Sequence, residues 1–335
     1  MIAYIIRRLV TALFLLVLVS MITFGIFFLV PRIAGQSSYE LATQYVGRNP
    51  TPSAIHQVEA KLGLDQPLPV QYGRFLIGIV AGENYDNGPS QTYCPPPCFG
   101  YSFRSQAPVW PQMTAALPVT ASLAVGAAVI WLTGGVAVGV ISALKRGSIF
   151  DRLSMGVALA GVSLPIFFTG LVSLELFSFK WPLFPDVGYM PITQNPLLWA
   201  RDLTLPWIIL ALYYAALYAR LTRAGMLETM GEDFIRTARA KGMPEHRVNL
   251  KHALRAALTP IVTIFGMDLG LLVGGAVVAE VTFSLHGLGM FTWEAIQDQD
   301  LPEIMGVVML ASFFVVIASL IVDVLYAWVD PRVRY

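Results

Sequence analysis

Six apolar runs set the terms for this chain. They cover residues 9–30, 115–143, 154–177, 204–221, 256–281 and 304–329. Each is close to or beyond the roughly 20 residues needed to cross a bilayer as a helix. A chain built this way buries its apolar surface in lipid, so the expected fold is an all-α polytopic membrane protein with six transmembrane helices. Charge agrees, because 13% of residues are charged and 56% are hydrophobic, whereas soluble domains carry about 25% charge. The net charge of +1 provides no global field for nucleic acid.

An even number of spans puts both termini on one side. Of the 22 Lys and Arg residues, 15 fall on that side: Arg7, Arg8, the 145–152 loop, the 220–255 segment, and the tail residues Arg332 and Arg334. The other side holds Arg32, Arg48, Lys61, Arg74, Arg104, Lys180 and Arg201, mostly in one long loop, where the positive-inside rule has little weight. The basic side, with both termini, is therefore expected to be cytoplasmic. The first apolar run is about 22 residues long, too long for a typical signal core, and no A-x-A site follows it. It reads as an uncleaved span.

Three regions follow: 1–30, the N-terminal end and first span; 31–114, an extracytoplasmic loop; and 115–335, a core of five spans with a basic segment at 226–255. Within the loop, Thr51 can cap a helix, Pro52 suits its first turn, and Gly63 suits its end. A short amphipathic helix is expected there. "ENYDNGPSQTYCPPPCFGYS" (83–102) is rich in Gly, Pro and Asn and reads as an irregular insertion. It carries both cysteines, Cys94 and Cys98. An extended polyproline run would hold them about 12 Å apart, against the roughly 4.4–6.8 Å that a disulfide needs, so a turn with a feature such as a cis proline must close it. A local disulfide staple, two free thiols and a redox pair are the alternatives. The lack of a basic neighbour speaks against the last, and the staple is favoured. Between the last two spans, Gly287 and Gly289 suit a re-entrant turn and "MFTWEAI" a short interfacial helix.

Enzyme motifs are absent. There is no H-E-x-x-H, no zinc-spaced Cys/His cluster and no phosphate loop, and "GVSLP" (161–165) lacks the second glycine of a nucleophile elbow. The chain is expected to bind neither metal nor ATP itself.

The basic segment has a shape as well as a charge. Eight Lys, Arg and His residues lie between Arg236 and Arg255. The pattern stays helical from Met226 to Lys241. Gly242 then matches a helix stop, and Pro244 suits the start of a second helix that runs into the fifth span. Arg247, Lys251 and Arg255 form a basic stripe along it. Interleaved acids (Glu228, Glu232, Asp233, Glu245) argue against a plain lipid-binding polybasic run. A rigid helix–bend–helix knob with no chemistry of its own is best explained as a docking element for a partner.

"DFIRTARAKGMPEHRVNLKHALRAALTPIVT" (233–263) resembles the EAA loop of permease subunits of ABC importers, in the B-type oligopeptide/dipeptide branch. Arg236, Thr237 and Ala238 stand at the Glu-Ala-Ala positions and Gly242 at the glycine, while Pro260 arrives later than the usual proline. The blocks "LGLDQPLPVQYGRFL", "GYSFRSQAPV", "ALKRGSIFDRL", "EVTFSLHGLGMFTWEAI" and "VDVLYAWVDPRVRY" resemble the same family, and residues 81–98 look like an insertion in it. The resemblance implies the type I ABC importer permease fold in the cytoplasmic (inner) membrane. It implies a second homologous permease subunit, two cytoplasmic ATPase subunits that bind ATP and Mg, and an extracytoplasmic solute-binding protein. It also implies that Arg236, Thr237, Ala238, Arg239, Ala240, Lys241, Gly242, Met243, Pro244 and Glu245 form a coupling helix seated in an ATPase groove. Peptides are the implied cargo, with nickel chelates, glutathione or oligosaccharides as alternatives. A secondary transporter or channel would need no such knob.

Asp268, in the fifth run, falls about 21 Å along a helix from Leu254 at 1.5 Å per residue, close to mid-membrane. Facing lipid, it would cost several kcal/mol. Two readings stand side by side. It lines the substrate path and meets a substrate amino group, or it is a hydrogen-bonded structural acid where two permeases meet.

Overall fold

The computed structural model describes residues 2–46, 51–86, 91–184 and 187–329. Arg48, Arg332 and Arg334, which contribute to the charge asymmetry, lie outside the described residues. Helix α1 (Ile2–Phe24) continues through a π turn into α2 (Val30–Ile33). Then come α3 (Ser38–Val46), α4 (Pro52–Leu62) and α5 (Leu68–Ala81). Strands β1 (Glu83–Asp86) and β2 (Gln91–Cys94) form an antiparallel hairpin, and β3 (Tyr101–Ser102) and β4 (Ala107–Pro108) a second. The rest is helical: α6 (Val109–Leu144), α7 (Ile149–Ser163), α8 (Ile166–Leu174), α9 (Pro196–Thr229), α10 (Asp233–Ala240), α11 (Glu245–Arg247), α12 (Leu254–Val273), α13 (Val277–Thr282), α14 (Leu288–Asp298) and α15 (Leu301–Val329).

Five helices among the described residues are long and apolar enough to cross a membrane, and a sixth crossing is completed if one bent pair counts as a span. That pair is α7 and α8, where residues 154–177 were expected to form one helix. The two meet at 98°. The cause is local. A residue before proline is driven out of the α region, and Leu164, before Pro165, is extended at φ −93°, ψ 129°.

The fifth run, expected over 256–281, also breaks. Helix α12 stops at Val273, and α13 starts at Val277. Gly275 between them has φ +138°, a conformation that side chains disfavour. The break brings two backbones together, because a Cβ on Gly289 would sit 2.6 Å from Val277 backbone atoms. The glycine placed in the expected re-entrant turn thus serves a close backbone contact. The helix expected after it is α14.

The chain divides into two compact units. One holds the described residues of Met1–Thr120, Val273–Val277 and His286–Tyr335. In it α1 packs along α15, with Arg8 and Asp323 paired at 2.9 Å. Helix α4 is capped as its sequence predicts: Ala54 donates to Thr51 Oγ1, and Gly63 is left-handed at φ +61°. Its apolar face joins α3 in a small core of Leu41, Ala42, Tyr45, Ile55, Val58 and Leu64. The 31–114 segment is further tied to the start of α15, where Ser102 donates to Asp300 and Ser105 to Glu303, and to the end of α14, where Arg104 pairs with Asp298 at 2.6 Å. The cysteines sit in a turn with a cis Pro96–Pro97 bond and Cα atoms 5.6 Å apart, and they are joined by a disulfide. Both are buried beside Tyr85 and Tyr101. The extended run that would have kept them apart is not adopted.

The second unit holds Ala121–Leu272 and Val278–Leu285. In it α7 and α8 pack on α9, and α6 approaches α9 closely at two glycines. A Cβ on Gly135 would meet Ala215 O and Tyr218 Cβ at 2.9 Å, and one on Gly139 would meet Ala219 O and Thr222 Cβ at 2.6 Å. Small residues let helix backbones approach this closely in membranes.

Candidate functional site

The segment expected to form the coupling element is built from the end of α9 onward. Helix α9 runs unbroken to Thr229, and the chain turns at Met230–Glu232 before α10 begins. This turn interrupts the single helical stretch expected from Met226 to Lys241. Asp233 opens α10, where a negative charge complements the helix dipole. At the other end the amides of Lys241, Gly242 and Met243 donate to the carbonyls of Thr237, Arg239 and Ala238. Gly242 itself is left-handed, at φ +74°. Pro244 is the N-cap residue of the next helix, one position earlier than a first-turn proline. From Glu245 that helix continues through a π segment, Val248–Ala253, into α12.

Helix α10 has two distinct faces. Ile235 and Ala238, one turn apart, are buried in a cluster with Val140 and Ala143 of α6, Met226 of α9, and Val248, Ala253 and Ala257 beyond the bend. Met243 packs against the same cluster. Outward face Phe234, Arg236, Thr237, Arg239, Ala240, Lys241, Gly242, Pro244 and Glu245. Of the ten residues expected in the coupling element, Ala238 and Met243 therefore help hold it in place, and the other eight are exposed. Arg239 spans the bend to Glu245 with bonds of 2.9 and 3.4 Å. Exposed pairs of this kind contribute little stability. Arg247, Lys251 and Arg255 are all exposed, as the stripe requires.

Ile235 is the central anchor. Ile235→Ala removes a fully buried side chain, which costs about 2–4 kcal/mol. Trypsin should then cut the solubilised protein at Arg236, Arg239 and Lys241 much faster than the parent, as read by mass spectrometry.

Asp268 lies on α12 in an aromatic setting. Tyr218 of α9, fully buried, donates its hydroxyl to Asp268 Oδ2 at 2.8 Å. Trp131 of α6 stacks on Tyr214 at 4.6 Å and neighbours Tyr218 and Phe265. The acid is partly buried and bonded to the Tyr218 phenol. The hydrogen bond required by the structural reading is present, and the partial exposure required by the path reading is present too.

Sequence reasoning passed over Asp151. Its carboxylate is buried and takes four hydrogen bonds. Ser142 Oγ and the Gly147 amide (2.8 Å) donate to it, and Arg223 donates from Nε at 2.6 Å and Nη2 at 2.9 Å. One signal was readable: Ser148 caps α7 with Asp151 three residues later. Arg223 is 72 residues away in sequence, so nothing local announces the pair.

Residues 135–335 match the family described as binding-protein-dependent transport system inner membrane component. The chain belongs to this family. Residues 1–124 match the N-terminal part described for the same transport-system membrane components. A Brucella abortus protein described as a putative peptide transport system permease is 38% identical over 335 residues, with each chain fully covered. The dipeptide transport system permease protein DppB of Escherichia coli is 35% identical, covering all of this chain and 99% of its own. Among solved structures, the inward-facing MetNI methionine ABC transporter aligns with a TM-score of 0.52 at 18% identity, covering 66% of this chain and 97% of that one. The likeness extends to the fold of an ABC transporter membrane subunit. This inner membrane component thus has the class of fold that its apolar runs and basic segment imply.

Proposed function

We propose that this inner membrane component is one of two permease subunits of an ATP-driven peptide importer, and that the α10–Gly242–α11 knob is its coupling element. The observation that carries the reading is the two-faced α10: an apolar edge seated on α6, α9 and α12, and an exposed, charged outer face ending at a left-handed glycine. Peptides as cargo rest on the names of the relatives from Brucella and Escherichia coli. Two cytoplasmic ATPase subunits hold ATP and Mg and carry out hydrolysis. A second homologous permease completes the path, and an extracytoplasmic solute-binding protein delivers cargo. Both termini and the knob face the cytoplasm, in keeping with the Lys and Arg asymmetry. Charge on the outer face of α10 selects the partner surface and its register more than it adds affinity.

Asp268 is a path residue in this reading. Its Oδ2 is held by Tyr218, and its partial exposure leaves room for an amino group. Purification of the solubilised protein from its native membrane, with identification of what accompanies it, tests the assembly. Two ATPase chains and a second permease are the expected companions. A chain that purifies alone while the same membranes still take up labelled peptides would overturn it.

A further inference from the structure

The coupling helix rests on residues of α6 and α9, and a second feature joins those same two helices. Val140 and Ala143 on α6 flank Ser142, and Met226 on α9 lies one turn beyond Arg223. Ser142 and Arg223 both bind the Asp151 carboxylate. Gly139 brings the α6 backbone against α9 at this level, where a Cβ would meet Arg223 N at 3.1 Å. Asp151 belongs to the first turn of α7, so three helices converge on a single buried carboxylate. Two of the three also carry the seat of α10.

A carboxylate with this donor set has a specific mechanical property. Bidentate guanidinium bonds fix angle as well as distance. The Ser142 hydroxyl and the Gly147 amide occupy further acceptor positions. The ends of α6 and α9 cannot slide or rotate past each other without breaking charge-assisted bonds in a buried site. A push on α10 then reaches α6 and α9 as one body instead of being absorbed by a shift between them.

We infer that Asp151 and Arg223 are a positioning pair for energy coupling: they hold the seat of the coupling helix rigid so that movement of α10 is passed to the membrane helices. The inference rests on the coupling reading of α10. Asp151 is buried, and the partly buried Arg223 guanidinium is bonded to it.

The test uses the full complex in proteoliposomes, with Asp151→Asn, Arg223→Gln and the double variant. Breaking one half of a buried pair leaves the other half uncompensated, whereas removing both is far better tolerated. The double variant therefore guards against simple misfolding. Two readouts are taken: labelled dipeptide imported per ATP hydrolysed, and the spin-label distance between Arg236→Cys on α10 and Lys145→Cys at the end of α6.

In the single and double variants alike, import per ATP should fall about tenfold, within the range by which coupling residues act. ATPase subunits should remain bound, and the distance distribution should broaden. Recovery of import per ATP in the double variant along with yield would show a merely structural pair and overturn the inference. So would an unchanged distance distribution, whatever the ATPase does. If the ATPase subunits fail to bind the parent protein, the coupling reading falls, and the distance measurement alone then decides whether the pair positions α10.

Discussion

Gly242→Val should uncouple the importer while leaving the protein folded in the membrane. At Gly242 the backbone has φ +74°, and a side chain there would meet open space. Packing therefore contributes nothing to the effect, and the whole penalty is conformational. A left-handed residue with a Cβ costs about 1–2 kcal/mol, and β-branched residues tolerate it least. The loss is relieved by rotating the bend, which turns the exposed face of α10 away from its present direction. The three amide bonds that close α10 and the Arg239–Glu245 bridge would be lost with it. Peptide uptake should fall at least about tenfold, which corresponds to 1.4 kcal/mol, and fewer ATPase subunits should co-purify. Gly242→Asn is the control, because asparagine enters the left-handed region readily, and it should retain most activity. If Gly242→Val transports like the parent, with ATPase dependence intact, the role given to the knob is wrong.

Asp268→Asn should have the second large effect, on uptake instead of assembly. The substitution preserves shape and still offers an oxygen to the Tyr218 hydroxyl, so it removes only the charge. A hydrogen bond to a charged group is worth about 1.5–3 kcal/mol. Uptake efficiency for peptides with a free amino terminus should therefore fall by roughly tenfold to a hundredfold. Peptides with an acetylated amino terminus should show no difference between the two proteins. Unchanged uptake kinetics would return Asp268 to a structural role. Tyr218→Phe offers a complementary measurement: it frees the carboxylate and should lower uptake less than Asp268→Asn does.

Sequence reasoning performed best where the cause is local. Thr51, Pro52 and Gly63 act within one helix, and each takes the place its chemistry predicts. Gly242 ends α10 because only a left-handed residue closes those hydrogen bonds. Reasoning from periodicity alone did less well inside apolar runs. Residues 154–177 and 256–281 have spanning composition throughout, yet Pro165 bends the first and Gly275 interrupts the second. Hydropathy reports solvent preference, which a bend does not alter. For the cysteines, the favoured local staple is the one formed, in the turn its spacing required.

The sequence by itself determined the class of the molecule. Apolar runs of spanning length leave a helical membrane fold. Motif order from 62 to 335 points to one transport family. Tertiary structure alone decided which residues around α10 act together. Ile235 and Ala238 turn inward because α6, α9 and α12 offer an apolar seat, and the outward face of α10 is what remains. The Asp151–Arg223 pair spans 72 residues and joins α7 to α9, beside the point where Gly139 lets α6 close on α9. Tyr218 finds Asp268 across 50 residues for the same kind of reason. A side chain's type is written in the chain, but its partner is set by helix packing, which depends on contacts between segments that no local pattern encodes.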